Sequence, residues 1–179
     1  ANNSITFTSQ TGNASDVVWY EINLGNLQNV TFTKMAFDGT IEDYHNIRFI
    51  KSCDNIEFSD CILIGDTLND NSNVAAVSAL CQQSGSGQLT NFRLLRNTIY
   101  GGKYALYFYG PSNAPNEILI EDNIIGGFCD YGVYGYYSNL TMKNNIITNS
   151  YWIFTSRIFI SKYCISSIIY NNIPNLWSF

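Results

Sequence analysis

Charge is scarce in this chain: Asp, Glu, Lys and Arg make up 13% of its 179 residues, against 46% hydrophobic residues. With so few ions, the surface must be built largely from Asn, Ser, Thr, Tyr and Gly, which is unusual for a cytosolic helical protein. Basic residues are scarcer still, 9 against 14 acids, for a formal net charge of -5. Binding driven by counterion release from a phosphate backbone needs clustered Lys and Arg, so nucleic acid is excluded as the expected partner. There is a single histidine, His45, which leaves no basis for a His-rich metal site and only one centre for a Ser/His/Asp triad. The five cysteines, Cys53, Cys61, Cys81, Cys129 and Cys164, contain no CxxC pair and no metal-ligand spacing; they are expected to be buried thiols. No apolar run is long enough to cross a bilayer, and no charged segment leads into an apolar one at the start. The chain begins at Ala1 without Met, as expected of a processed or trimmed product. The Asn-x-Ser/Thr triplets at Asn2, Asn13, Asn29 and Asn139 carry no weight in a sequence this rich in Asn, Ser and Thr.

What the chain has instead is repetition. NVTFTKMAFDG from Asn29, NIEFSDCILIG from Asn55, NFRLLRNTIYG from Asn91, EILIEDNIIGG from Glu117 and NLTMKNNIITN from Asn139 share one register. Two apolar residues two apart open each copy (Val30 and Phe32, Ile56 and Phe58, Phe92 and Leu94, Ile118 and Ile120, Leu140 and Met142), so both point to one face of a short strand. Then come Met35, Cys61, Asn97, Asn123 or Asn145, and after them Phe37, Leu63, Ile99, Ile125 or Ile147. The first apolar positions fall 26, 36, 26 and 22 residues apart, and SITFT from Ser4 is a half copy before them. A coil of three strands of about four residues with three bends of about three needs roughly 20 residues, close to the shortest spacing. The period predicts a solenoid of stacked coils, with the longer spacings as loops thrown out at the bends. An antiparallel sandwich would also use short alternating strands, but it does not require the same Asn and Gly offsets in successive ones.

Asparagine is a poor strand residue, so its recurrence at Asn97, Asn123 and Asn145 calls for a reason. In coils about 4.8 Å apart, an Asn in each bend can take the left-handed conformation and pass amide hydrogen bonds to the Asn above and below. Met35 and Cys61 replace it in earlier copies, so the ladder is expected only in the last three coils, with those two side chains filling the same inward space.

The figure N-I-x-I-x-x-N-x-I-x-G, repeated over roughly residues 4 to 154, resembles the right-handed parallel β-helix superfamily that includes pectate lyases and many secreted bacterial repeat proteins. The resemblance implies an all-β chain, a single-stranded right-handed parallel β-helix of about six coils, and a secreted or cell-surface location. Residues 1–154 are expected to hold the repeats, and 155–179 an irregular last coil or cap. SITFT follows the start with no amphipathic helix ahead of it, so an open end and end-to-end self-association are expected.

Each coil needs further strands. YALYFYG from Tyr104 matches YGVYGYY from Tyr131, and YWIF from Tyr151 falls at the same offset from its own repeat. With Leu106, Phe108, Val133 and Ile153 inward, Tyr107, Tyr134 and Phe154 stack outside, and Tyr109 and Tyr136 lie beside them. Tyrosine rings pack on the apolar faces of sugars while their hydroxyls bond to sugar hydroxyls, so Tyr107, Tyr109, Tyr134 and Tyr136 are the candidate ligand-binding residues, with a polysaccharide or cell-surface glycan as partner. Coverage of the same stripe by a loop or a neighbouring subunit is the competing account.

Chemistry is harder to place. Lys34, Asp60, Arg96, Asp122 and Asn144 form one outward column, and Thr31, Glu57, Arg93, Leu119 and Thr141 another; their alternating signs fit ordinary cross-strand pairing. The resemblance implies that a lyase would hold Ca²⁺ on several carboxylates beside a basic residue that removes a proton. Here the acids are dispersed. The nearest groupings are Asp66 and Asp70 in GDTLNDNSN, and Glu42, Asp43 and His45 in IEDYH; neither has a calcium-loop pattern. No catalytic residue, metal site or cofactor is assigned. QQSGSGQ ends the longest insertion and is a flexible stretch that could bind or stand idle. A non-catalytic binding module is the leading expectation; a polysaccharide lyase or glycoside hydrolase, and a structural spacer or adhesin, are the alternatives.

Overall fold

The computed structural model describes residues 3–40, 45–66, 74–80, 88–148, 158–160 and 166–169. The chain visits three parallel sheets in fixed order. Sheet 1 takes Ile5–Thr8, Gln28–Thr33, Cys53–Ser59, Phe92–Leu95, Asn116–Glu121, Ser138–Lys143 and Ser166–Ile169. Sheet 2 takes Val18–Trp19, Ala36–Asp38, Ile62–Ile64, Thr98–Tyr100, Ile124–Gly126 and Ile146–Ile147. Sheet 3 takes Ile22–Leu24, Ile47–Phe49, Ala75–Leu80, Tyr104–Tyr109, Tyr131–Tyr136 and Ile158–Ile160. Among the described residues, six coils each contribute to all three sheets; Leu89–Thr90, just before Phe92–Leu95, also pairs with Cys53–Asp54 in sheet 1, and Ser166–Ile169 adds a further strand there. All these strand pairings are parallel, which rules out the antiparallel sandwich.

The register follows the repeat. Ile5 lies opposite Val30 and Val30 opposite Ile56, while Phe92, Ile118 and Leu140 continue the column. Like side chains therefore meet inside: Phe7 lies on Phe32 with ring centroids 5.2 Å apart, and Phe32 on Phe58 at 4.7 Å, both near parallel. Each fully buried ring of this kind contributes about 1.5–3 kcal/mol through burial. In the first coil Ile5 and Phe7 remain exposed.

Between sheets 1 and 2 the chain turns sharply. The left-handed residue at each turn is Lys34, Asp60, Arg96, Asp122 or Asn144, with φ between 54° and 59°. This corrects the expectation that the ladder asparagines themselves are left-handed: the backbone reverses one residue earlier, and that reversal aims the next side chain inward. The outward column then carries the ions, and Arg96 meets Asp60 through two contacts of 2.9 Å. Both partners are well exposed, so the pair is worth under about 1 kcal/mol.

The inward column is the ladder. Asn97 Nδ2 donates to Asn123 Oδ1 at 3.1 Å, and Asn123 Nδ2 to Asn145 Oδ1 at 3.0 Å. Each Oδ1 also accepts a backbone N–H from the coil before: Cys61 to Asn97 at 2.9 Å, Asn97 to Asn123 at 2.8 Å, and Asn123 to Asn145 at 3.0 Å. Met35 and Cys61 occupy the same column and are buried. The Cys61 thiol, pushed up to about 11 by burial, stays protonated and donates to the Ser59 carbonyl. Cys53 is buried as expected, whereas Cys129 is exposed, because it sits in the bend after Gly127 rather than on an inward strand position. Cys81 and Cys164 lie outside the described residues.

Candidate functional site

The outer face of sheet 3 brings the predicted tyrosines together. Tyr107 lies opposite Tyr134 and Tyr109 opposite Tyr136 on adjacent strands, all four half-buried. Tyr109 and Tyr136 stack, 4.7 Å apart with an interplanar angle of 21°. Tyr107 and Tyr134 do not: their rings stand at 89° and 5.0 Å, because Tyr104 packs against both, at 4.6 Å and 5.5 Å. Edge-to-face contact suits the ring quadrupole and leaves a corrugated surface in place of a flat one. Phe159 lies opposite Tyr134 on the next strand, and Phe154 lies outside the described residues.

Sequence reasoning missed three members of this surface. Tyr104 stacks on Tyr131 at 6.0 Å, and Tyr137 packs on Tyr136 at 4.5 Å. Tyr104 and Tyr131 open the two matching heptapeptides, so the repeat itself held the signal; the outward position of Tyr104 depends on the bend before the strand. The Lys103 ammonium lies 5.9 Å from the Tyr104 ring centre. Burial pushes the Tyr104 phenol up to about 12 and raises Tyr107 and Tyr134 as well, so these three stay protonated at neutral pH.

Toward the earlier coils the same column continues as Ser78 and Arg48. His45 sits at this end, its ring 6.5 Å from Tyr107 and only 2% exposed. Burial first, then the Arg48 charge, lowers its pKa to about 4. A histidine so placed is neutral at pH 7 and is a poor match to an exposed general base. It predicts a pH dependence: folding stability is full above the unfolded value of about 6.5, falls as pH drops, and levels once the folded form also protonates near 4. The loss is about 3 kcal/mol over that window, and denaturant midpoints measured from pH 7 to 4 should fall less in His45→Gln.

The acidic groupings proposed from sequence are only partly placed. Asp66 and His45 are described, whereas Glu42, Asp43, Asp70 and most of QQSGSGQ lie outside the described residues. Among the described residues, no three His, Cys, Asp or Glu side chains converge as metal ligands, and no helix is long and apolar enough to cross a membrane.

Three parallel sheets visited in strict rotation, an internal asparagine ladder and a period near 25 residues define a β-solenoid. The family profile described as "Right handed beta helix region" matches residues 79–178. The chain belongs to this right-handed β-helix family. No curated protein and no solved structure in the comparisons matches it. The profile spans the coils that carry both the asparagine ladder and the tyrosines, and it reaches beyond Phe154, as do the sheet strands Ile158–Ile160 and Ser166–Ile169. The β-helix thus supplies a rigid frame, with tyrosines at fixed inter-strand spacing on one face.

Proposed function

We propose that the protein is a non-catalytic β-helix module, secreted or displayed at a cell surface, that binds glycan through the outer tyrosines of sheet 3. The observation that carries this reading is the continuous set of Tyr104, Tyr107, Tyr109, Tyr131, Tyr134 and Tyr136, held in cross-strand register on a stiff scaffold. Rigid aromatic side chains lose little entropy on binding, and each offers an apolar body with a polar tip. Their corrugated packing favours edges, hydroxyls and the grooves between rings as contact points, more than one flat stacking platform. Low charge in the chain as a whole suits a ligand recognised by hydroxyls.

The test is a glycan array with the intact chain, followed by titration of any hit against Tyr134→Ala. Loss of this ring removes packing partners of Tyr107, Tyr104 and Tyr131. The expected result is a loss of affinity of about tenfold or more, with the fold retained. Unchanged affinity would remove the tyrosine face as the binding surface, and release of unsaturated or reducing sugars from any polysaccharide on the array would replace binding with catalysis.

A further inference from the structure

A second surface, on sheet 1, is independent of the tyrosines. Its outer face holds a groove of about 570 Å³, within the roughly 300–1,000 Å³ of small-ligand sites. The floor is one outward column, with Arg93 opposite Leu119 and Leu119 opposite Thr141 on successive strands. The wall is the column just before it, including Asn55, Asn91 and Glu117.

The wall begins as a second asparagine ladder and then breaks. Asn55 Nδ2 donates to Asn29 Oδ1 at 2.7 Å, and both residues are left-handed, as is Asn91. Asn91 does not continue the chain. Arg93 takes its place: its Nη2 donates to Asn55 Oδ1 at 3.1 Å and lies 3.3 Å from Glu57, while its Nε is buried, away from the open groove, without a hydrogen-bond partner. Among the described residues, the exposed Asn91 amide and Glu117 carboxylate have no side-chain hydrogen bond or ion pair, and both border the groove. Polar groups unspent on the protein, beside an apolar floor at Leu119, fit a ligand with one apolar face and a rim of hydroxyls.

Charge narrows the class. Arg93 is already engaged by Glu57, Glu117 adds a negative group at the rim, and the chain is negative overall, so an anionic ligand is disfavoured. We infer that the sheet 1 groove is a second binding site, for a neutral, hydroxyl-rich ligand of pyranose-ring size, with Leu119 beneath the ring and Asn91 and Glu117 bonding its hydroxyls.

The test is a backbone-amide NMR titration of the full chain with cellohexaose, xylohexaose and, as the charged control, a hexamer of galacturonate. One of the neutral hexamers is expected to shift the Asn91 and Leu119 signals. Glu117→Ala and Asn91→Gly should each weaken that binding by at least about fivefold, as removing one hydrogen-bonding partner does. Glycine accepts the left-handed backbone at position 91, so that variant is expected to fold. Tyr134→Ala should leave binding here unchanged, which separates this site from the tyrosine face. The inference is overturned if neither neutral hexamer shifts groove signals, if only the galacturonate hexamer does, or if both groove variants bind like the parent.

Discussion

Asn123→Leu is expected to destabilise the fold by about 3–5 kcal/mol, more than a typical core substitution of similar volume. Asn123 is the middle rung of the ladder. Its Oδ1 accepts from both the backbone N–H and the side-chain amide of Asn97, and its Nδ2 donates to the Leu94 carbonyl at 2.9 Å, the Glu121 carbonyl at 3.0 Å and Asn145 Oδ1. Leucine fills the space but leaves several of these groups buried without a partner, and each costs about 1–3 kcal/mol. Met35 shows that an apolar residue can occupy the column. At position 123, however, the coil on each side has been built to expect an amide. Urea unfolding followed by circular dichroism reads the difference directly, and a loss under about 1 kcal/mol would mean that the ladder is ornamental.

Gly110→Ala is the second large effect. A methyl group built on Gly110 would collide with the carbonyl oxygen of Tyr137 and lie 3.0 Å from the backbone nitrogen of Asn116. The Tyr137 carbonyl also accepts from Asn116 N at 3.1 Å, so it cannot give way without breaking that bond. Both obstacles are backbone, where relaxation is expensive. We expect a loss of about 3 kcal/mol or more, together with weaker near-ultraviolet dichroism from the tyrosines, since Gly110 follows Tyr109 directly and abuts Tyr137. Gly12→Ala is the contrast: its methyl would approach only the end of Lys34, at 3.9 Å, leaving the cost of a left-handed alanine, about 1 kcal/mol. Equal losses at the two positions would contradict the close approach at Gly110.

Much of this architecture was legible because columns in a solenoid are written as offsets along the chain. Val30, Ile56, Phe92, Ile118 and Leu140 could be aligned by eye, and they do form one buried column. The pairing of Tyr107 with Tyr134 and of Tyr109 with Tyr136 followed from two similar heptapeptides in the same way. What was not legible depends on three dimensions within a bend or between side chains. Sequence offset cannot say whether Arg96 or Asn97 carries the left-handed backbone, since the two are neighbours and either would make a turn. The perpendicular setting of Tyr107 and Tyr134 arises from Tyr104, whose outward position is created by the preceding bend. The sheet 1 groove was hidden for a related reason: Arg93 displaces Asn91 from a ladder by reaching across coils, and a column of residue types does not reveal which member has its side chain diverted. His45 was read as one member of a polar loop, yet it is buried, its ring 6.5 Å from Tyr107, a proximity between residues far apart in the chain that local residue types do not reveal.

The account rests on coils that lie over one another in register, and the most direct measurement is through-space NMR contact between the side-chain amide protons of Asn97, Asn123 and Asn145. The account predicts contacts from Asn97 to Asn123 and from Asn123 to Asn145, across 26 and 22 residues of sequence, with slow exchange of these protons with solvent. Fast exchange with no contact between the three amides would contradict it.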